Sequence, residues 1–332
     1  MPSSLMIDRR FLLAGAAAAM LRPAFAQTLG SPADYPAQRI RILVPATAGD
    51  VIDTAVHALL NAMTPDFHSG FQLDRQPTMG GAIAARTVAK ADADGYTLLI
   101  GTPETQAIAP KLLREPGYDP VADFEAVGGI CDIPLVLAAR RTLSAETLRQ
   151  LVELMSAEPQ RYRFGSTGAG SLGHMAGELF KLRSRAEAVH VPLPGEAKVM
   201  QAILAQQIDF AILPLGAVTT SFRSGQIKLL AQLGAARDKR ISTVPTMREA
   251  GIANLELSGW FGCYAPAKTA NSRLDLLATG FNTAMPSQPI VQMLNQNGLT
   301  AALRGPDDLA KLVAADRKLF AELIRLKSLK TG

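Results

Sequence analysis

Gly165-Ser166-Thr167-Gly168-Ala169-Gly170-Ser171 is the stretch with the most chemical potential in this chain of 332 residues. Its glycines let the backbone turn several N–H groups toward one point, and Ser166 and Thr167 add short hydroxyl donors. Ser171 stands where it can cap a following helix, whose positive end attracts anions. Such a loop suits a carboxylate held by neutral hydrogen bonds rather than by a salt bridge. The same composition also describes a plain glycine-rich turn before a capped helix, and the residues alone leave both readings open. Gly168 through Gly173 matches G-x-G-x-x-G literally, yet it lies mid-chain with no acidic residue at the spacing a ribose needs. The dinucleotide reading is rejected, and no cofactor is expected.

Other chemistry is sparse. His57, His68, His174 and His190 show no metal-ligand spacing and no partnered cysteines, so no metal site is expected. Gly165 directly precedes Ser166, which rules out a G-x-S-x-G elbow, and no phosphate-binding G-x-x-x-x-G-K-[ST] occurs. With no nucleophile–base pair visible, the chain does not read as an enzyme. Cys131 and Cys263 each sit in an apolar, strand-like run, and one disulfide or two buried thiols fit equally well.

The elements that must position the loop alternate. Arg39 to Val44 reads as a strand ending at Pro45, followed by the loop Ala46 to Val51 and an amphipathic helix from about 52 to 63. A short strand at 71–75, an Ala-rich helix opened by Gly80-Gly81 and a strand at 96–101 complete the first run. The pattern resumes after residue 139, with helix 144–156, strand 162–165, helix 171–183, strand 187–191, helix 195–206 and strand 208–213. An extended apolar run, 255–265, carries the only tryptophan, Trp260, and helices follow to about Leu329. Strand–helix alternation in two runs predicts an α/β chain with two lobes of parallel or mixed sheet flanked by helices. The chain is expected to cross once near 131–139 and back near 256–265, with the returning helices packing on lobe one. The expected division is 35–138 plus 258–332 for lobe 1 and 139–257 for lobe 2. Ligands of open α/β sheets sit at the carboxyl ends of the strands, which here would face each other across a hinged cleft.

The first 26 residues set the compartment. Arg9-Arg10 precedes an apolar stretch, and Ala24-Phe25-Ala26 supplies a small-residue cleavage frame before Gln27. This is the pattern of a twin-arginine export signal, too short in its apolar part to span a bilayer. The protein is therefore expected in the periplasm, where there is no nucleotide pool, with no stable membrane anchor. Losing the signal lowers the formal charge from +5 to +3, and the remaining Lys and Arg are scattered. That is no nucleic-acid footprint, and a monomer is expected.

Several blocks carry a family resemblance. Tyr35-Pro36 through Val44-Pro45, Asp94-Gly95-Tyr96-Thr97-Leu98-Leu99-Ile100-Gly101-Thr102 and Tyr118-Asp119-Pro120-Val121-Ala122-Asp123-Phe124 come first. Phe164-Gly165-Ser166-Thr167-Gly168, His174-Met175-Ala176-Gly177-Glu178-Leu179-Phe180-Lys181, His190-Val191-Pro192, Val244-Pro245-Thr246 and Trp260-Phe261-Gly262 follow in order. Together they resemble the Bug family, periplasmic binding proteins associated with tripartite tricarboxylate transporters. The resemblance implies a two-lobed Venus-flytrap fold with two hinge crossovers, gripping a carboxylate between two backbone-rich loops. It also implies delivery to a membrane permease or, in some members, presentation to a sensor kinase. Carried onto this chain, the site would comprise Ala46, Thr47, Ala48, Gly49, Asp50 and Asp53, then Thr102. From lobe two it would take Ser166, Thr167, Gly168, Ala169, Gly170, Ser171 and His174, with Leu213 and Pro214 as a wall. The chain departs from the family's habits in its first loop, where only Gly49 and Asp53 keep the pattern. Leu213-Pro214 stands where Asp then Asn are common, and Leu193-Pro194-Gly195 where Tyr-Lys-Gly is usual. Asp50 puts a negative charge where an anion is expected. If it faces the cleft it must repel a second carboxylate or pair with a cation.

Overall fold

Ile40-Arg41-Ile42-Leu43-Val44 forms β1 (Ile40–Val44), and its side chains alternate between two cores. Ile40, Ile42 and Val44 pack under α1 (Val51–Met63), against Ala55, Leu59 and Met63. Leu43 points the other way, toward the Ala-rich face of α2 (Ala82–Ala89). This is the burial expected of a strand covered on both faces. The computed structural model describes residues 35–329. The export signal read at 1–26, with its cleavage before Gln27, lies outside them. Among the described residues no helix is long and apolar enough to cross a membrane.

In lobe one, β1 lies between β2 (Phe71–Arg75) and β3 (Thr97–Gly101), parallel to both. β3 pairs antiparallel with β9 (Ser258–Pro266), β9 with β4 (Phe124–Arg140), and β4 with β10 (Thr300–Arg304). In lobe two, β4 is flanked by β7 (Phe210–Pro214) and β8 (Ile227–Gln232). From β7 the sheet continues through β5 (Arg163–Ser166) to β6 (Val189–Pro192), all parallel. The helices α4 (Leu148–Ala157), α5 (Leu172–Ser184), α6 (Glu196–Leu204) and α7 (Leu215–Arg223) cover this second sheet. The fold is a two-lobed α/β architecture whose two sheets share β4.

β4 is one unbroken strand of 17 residues, and its partner changes from β9 to β7 between Pro134 and Leu135, inside the 131–139 stretch where a crossing was expected. Two features differ from the reading of the sequence. β8 and β10 were not foreseen as strands, β10 because it is short and more than half exposed. The last helix, α10 (Pro306–Lys327), follows α3 (Ala109–Leu112), α8 (Asn271–Ala284) and α9 (Gln288–Gln296), and it does not stay on lobe one. Leu309 and Val313 join the core around Leu43 and Trp260, while Phe320 and Leu323 enter the lobe-two core beside Phe180 and Leu179. Cys131 and Cys263 are both buried and unbonded, resolving that alternative in favour of two thiols.

Candidate functional site

The loops after β1, β3 and β5 end at the same place. Pro45, Ala46, Thr47 and Asp50 from the first, Thr102 and Glu104 from the second, and Thr167, Gly168, Ala169 and Ser171 from the third line one cavity of about 130 Å³. Gly195 and Glu196, at the start of α6, complete it on the lobe-two side, with Ile52, Pro77 and Gly80 on the other. Gly195 has φ +82°, and a Cβ there would lie 3.4 Å from Thr47 Oγ1 across the cleft. A second cavity of about 70 Å³ shares Ile52, Glu104, Thr167 and Glu196 with the first. Behind them it is lined by Ile133, Leu135, Leu172, Pro214 and Trp260, an apolar chamber floored by the crossing strands.

The lobe-two loop is held by uncharged groups. The Ser171 hydroxyl accepts from His174 N at 3.2 Å, the cap its position predicted. Gly170 N donates to His174 Nδ1 at 3.1 Å, which requires that nitrogen to be unprotonated. Gly170 has φ +79°, and any Cβ would strike Leu112 at 2.5 Å, so the residue is fixed by backbone and by space. The His174 ring stacks on His190 with centroids 3.9 Å apart, and both lie against Phe164. His190 Nε2 is 2.6 Å from Ser166 Oγ, which also bonds Gly168 O at 2.9 Å. Burial and the neighbouring His174 push His190 down to about 3, and burial lowers His174 as well.

The lobe-one loop uses carboxylates instead. Asp53 accepts from Gly49 N at 2.9 Å and pairs with Arg75 at 2.6 Å. Asp50 precedes α1 but does not cap it; its two oxygens accept from Thr47 N at 3.1 Å and from Glu196 N at 3.3 Å. Glu196 returns the contact, accepting from Val51 N at 3.3 Å. Burial and the nearby Asp50 raise Glu196 to about 8, and burial raises Asp50. Glu104 reaches over from lobe one to accept from Leu172 N, the first amide of α5, at 2.9 Å. Its π-helical turn, Glu104–Ile108, is tied down by Tyr118 Oη donating to Thr105 O at 2.6 Å.

Of the residues expected at the site, eight line the main cavity: Ala46, Thr47, Asp50, Thr102, Thr167, Gly168, Ala169 and Ser171. Ala48 and Gly49 are exposed at the loop's tip, while Asp53, Ser166, Gly170 and His174 sit one layer back, shaping the loops. Pro214 lines only the apolar chamber. Leu213 does not face the cleft: it is 1% exposed and packs with Val136, Val199 and Val218. Strand alternation sends it to the opposite face from Ile212, into the core. Sequence reasoning missed Glu104 and Glu196. Both had a signal available, an acid just after a strand's end (Gly101-Thr102-Pro103-Glu104) and an acid opening a helix after Gly195.

The model of the tripartite tricarboxylate transporter family receptor matches residues 63–329. Protein BugT of Bordetella pertussis is 29% identical over 292 residues, 88% of this chain and 90% of BugT. R. palustris Rpa4515, solved with adipate, superposes with a TM-score of 0.84 at 28% identity, covering 90% of this chain and 99% of its own. The periplasmic binding protein BugD shares the fold at a TM-score of 0.82 and 24% identity, over 90% of this chain and all of BugD.

Proposed function

The chain belongs to the tripartite tricarboxylate transporter receptor family, and its Bug-type relatives are solute-binding proteins; from that premise we infer that its cleft captures a small organic acid in the periplasm. The observation that carries this reading is the convergence of the loops after β1, β3 and β5 on one cavity between the lobes. Thr47, Thr102, Thr167 and Ser171 are among the residues lining that cavity, and hydroxyl side chains suit a carboxylate. Rpa4515 was solved with adipate, a carboxylate of the same class. The lobes would close by bending near Pro134–Leu135 and Leu257–Ser258, where the chain passes from one sheet to the other. We take the partner to be the membrane permease of a tripartite tricarboxylate system, and the mature chain to begin at Gln27 after export.

A thermal-shift screen of the purified mature protein over mono-, di- and tricarboxylates and amino acids tests the reading. A ligand at a hundredfold excess over its Kd adds about 2.7 kcal/mol of stability, which is readily seen as a rise in Tm. An absence of shift across every acid of the panel would sink it, and turnover of a ligand would replace it with an enzyme. Intact-mass measurement on the exported protein checks the Gln27 start.

A further inference from the structure

Where a bound carboxylate would be expected, this cleft presents its own. The first amide of α5, Leu172 N, is bonded by Glu104 from the other lobe at 2.9 Å. The first amide of α1, Val51 N, is bonded by Glu196 from lobe two, and that of α6, Glu196 N, by Asp50 from lobe one, both at 3.3 Å. Three helix starts that face the cleft are thus already matched to acidic side chains reaching across it. All three acids line the main cavity, and among its lining residues there is no Lys, Arg or His. Glu104 and Glu196 also stand on the wall shared with the apolar chamber of Ile133, Leu135 and Trp260.

Resting on the organic-acid reading above, we propose that Asp50, Glu104 and Glu196 set the specificity of the cleft: its ligand carries one carboxylate and, at the end facing these three side chains, a cationic group such as an ammonium. The single carboxylate goes to the hydroxyl-rich side, at Thr167 and Ser171, whose loop is shaped by neutral contacts. A second carboxylate at the acidic end would find the helix-start donors taken and three acidic side chains around it. An ammonium there meets three acceptors, and methylene groups leading to it have apolar surface in the adjoining chamber. If the acids were only a latch between the lobes, replacing them would weaken every ligand in parallel and leave the preference among ligands unchanged.

The experiment is calorimetric titration with probes matched in length and differing only in end charge. Adipate, 6-aminohexanoate and 1,6-diaminohexane form one set; succinate, 4-aminobutyrate and 1,4-diaminobutane form a shorter one. Wild type should bind an amino acid of one set about tenfold or more tighter than the dicarboxylate of that set. Glu104→Gln and Glu196→Gln should each narrow the ratio, and Asp50→Asn should move it the same way. A wild type that binds the dicarboxylate as tightly as the amino acid overturns this proposal and leaves the organic-acid reading standing. So does a ratio unchanged in all three variants. Binding of the diamine alone overturns both, and binding of no probe in either set overturns this proposal and leaves the organic-acid reading to the wider panel. The wild-type ratio decides even where a variant fails to fold, and circular dichroism identifies such a variant.

Discussion

The two loops that face each other across the cleft are built by opposite means. Beneath the lobe-two loop lies a stack of rings, Phe164, His190 and His174, and the loop's bonds run through neutral imidazole and hydroxyl groups. In the lobe-one loop Thr47, Ala48 and Gly49 are exposed, and two carboxylates turned back on its own amides hold its shape. One loop is fixed by packing, the other by charge. Two surfaces that meet at one ligand site therefore depend on different conditions, and each can be disturbed without the other.

The largest effect should come from removing the ring stack. Phe164→Ala empties the floor beneath both histidines and faces Phe210 in the core, so a loss of about 3–5 kcal/mol is expected in urea denaturation. A loss below about 1 kcal/mol would show that packing does not support this loop. Asp53→Ala comes next. It leaves Gly49 N and the Arg75 guanidinium without their partner, and about 1.5–3 kcal/mol should be lost, with the deficit shrinking in high salt. Equal losses with and without salt would remove the charge half of the contrast.

Acid and base should separate the ring stack from the carboxylates that meet across the cleft. His190 is held down to about 3 against an ordinary value near 6.5. The unfolded chain takes up that proton first, so this contribution is complete above pH 6.5 and lost as pH falls toward 3. Glu196 runs the other way. Raised to about 8, it keeps its proton in the fold while the unfolded chain releases it near 4.5, so stability from this group declines as pH rises through that interval. Denaturation across pH should therefore show His190→Gln flattening the acidic limb and Glu196→Gln flattening the limb from pH 4.5 to 8. If either substitution changes the wrong limb, the protonation state assigned to that residue fails. The smallest effect is Ser171→Ala, which removes only a helix cap and should cost about 1 kcal/mol. A cost well above that would mean the hydroxyl has a further role in the loop.

Legibility in the sequence follows the same division. The lobe-two loop could be read because its signal is local: glycines for the turn, a serine for the cap, a strand before and a helix after. The strand at Phe71–Arg75 and the helix over Val51–Met63 carry periodicities as strong, and they form as expected. Glu104 and Glu196 carried a local signal too, but an ambiguous one. An acid in the first turn of a helix is ordinary stabilisation by the helix dipole, and only the approach of the lobes makes it a cross-cleft contact. Leu213 was placed on the cleft by its proximity to the strand's end, but the face a strand residue occupies depends on register, which a resemblance does not fix. The crossing within β4 could be placed only to the stretch 131–139, because the chain simply continues extended through it.

That uninterrupted strand makes the two lobes one thermodynamic object. β4 gives its first half to β9 and β10 and its second half to β7 and β8, so one continuous strand belongs to both sheets. α10 adds a second tie, with Val313 in one core and Phe320 in the other. Neither lobe can melt by itself without fraying its own half of β4 and emptying part of its neighbour's interior. Heat should therefore meet a single cooperative endotherm, and a fragment cut at the crossing should behave as an unfolded chain rather than as half a protein.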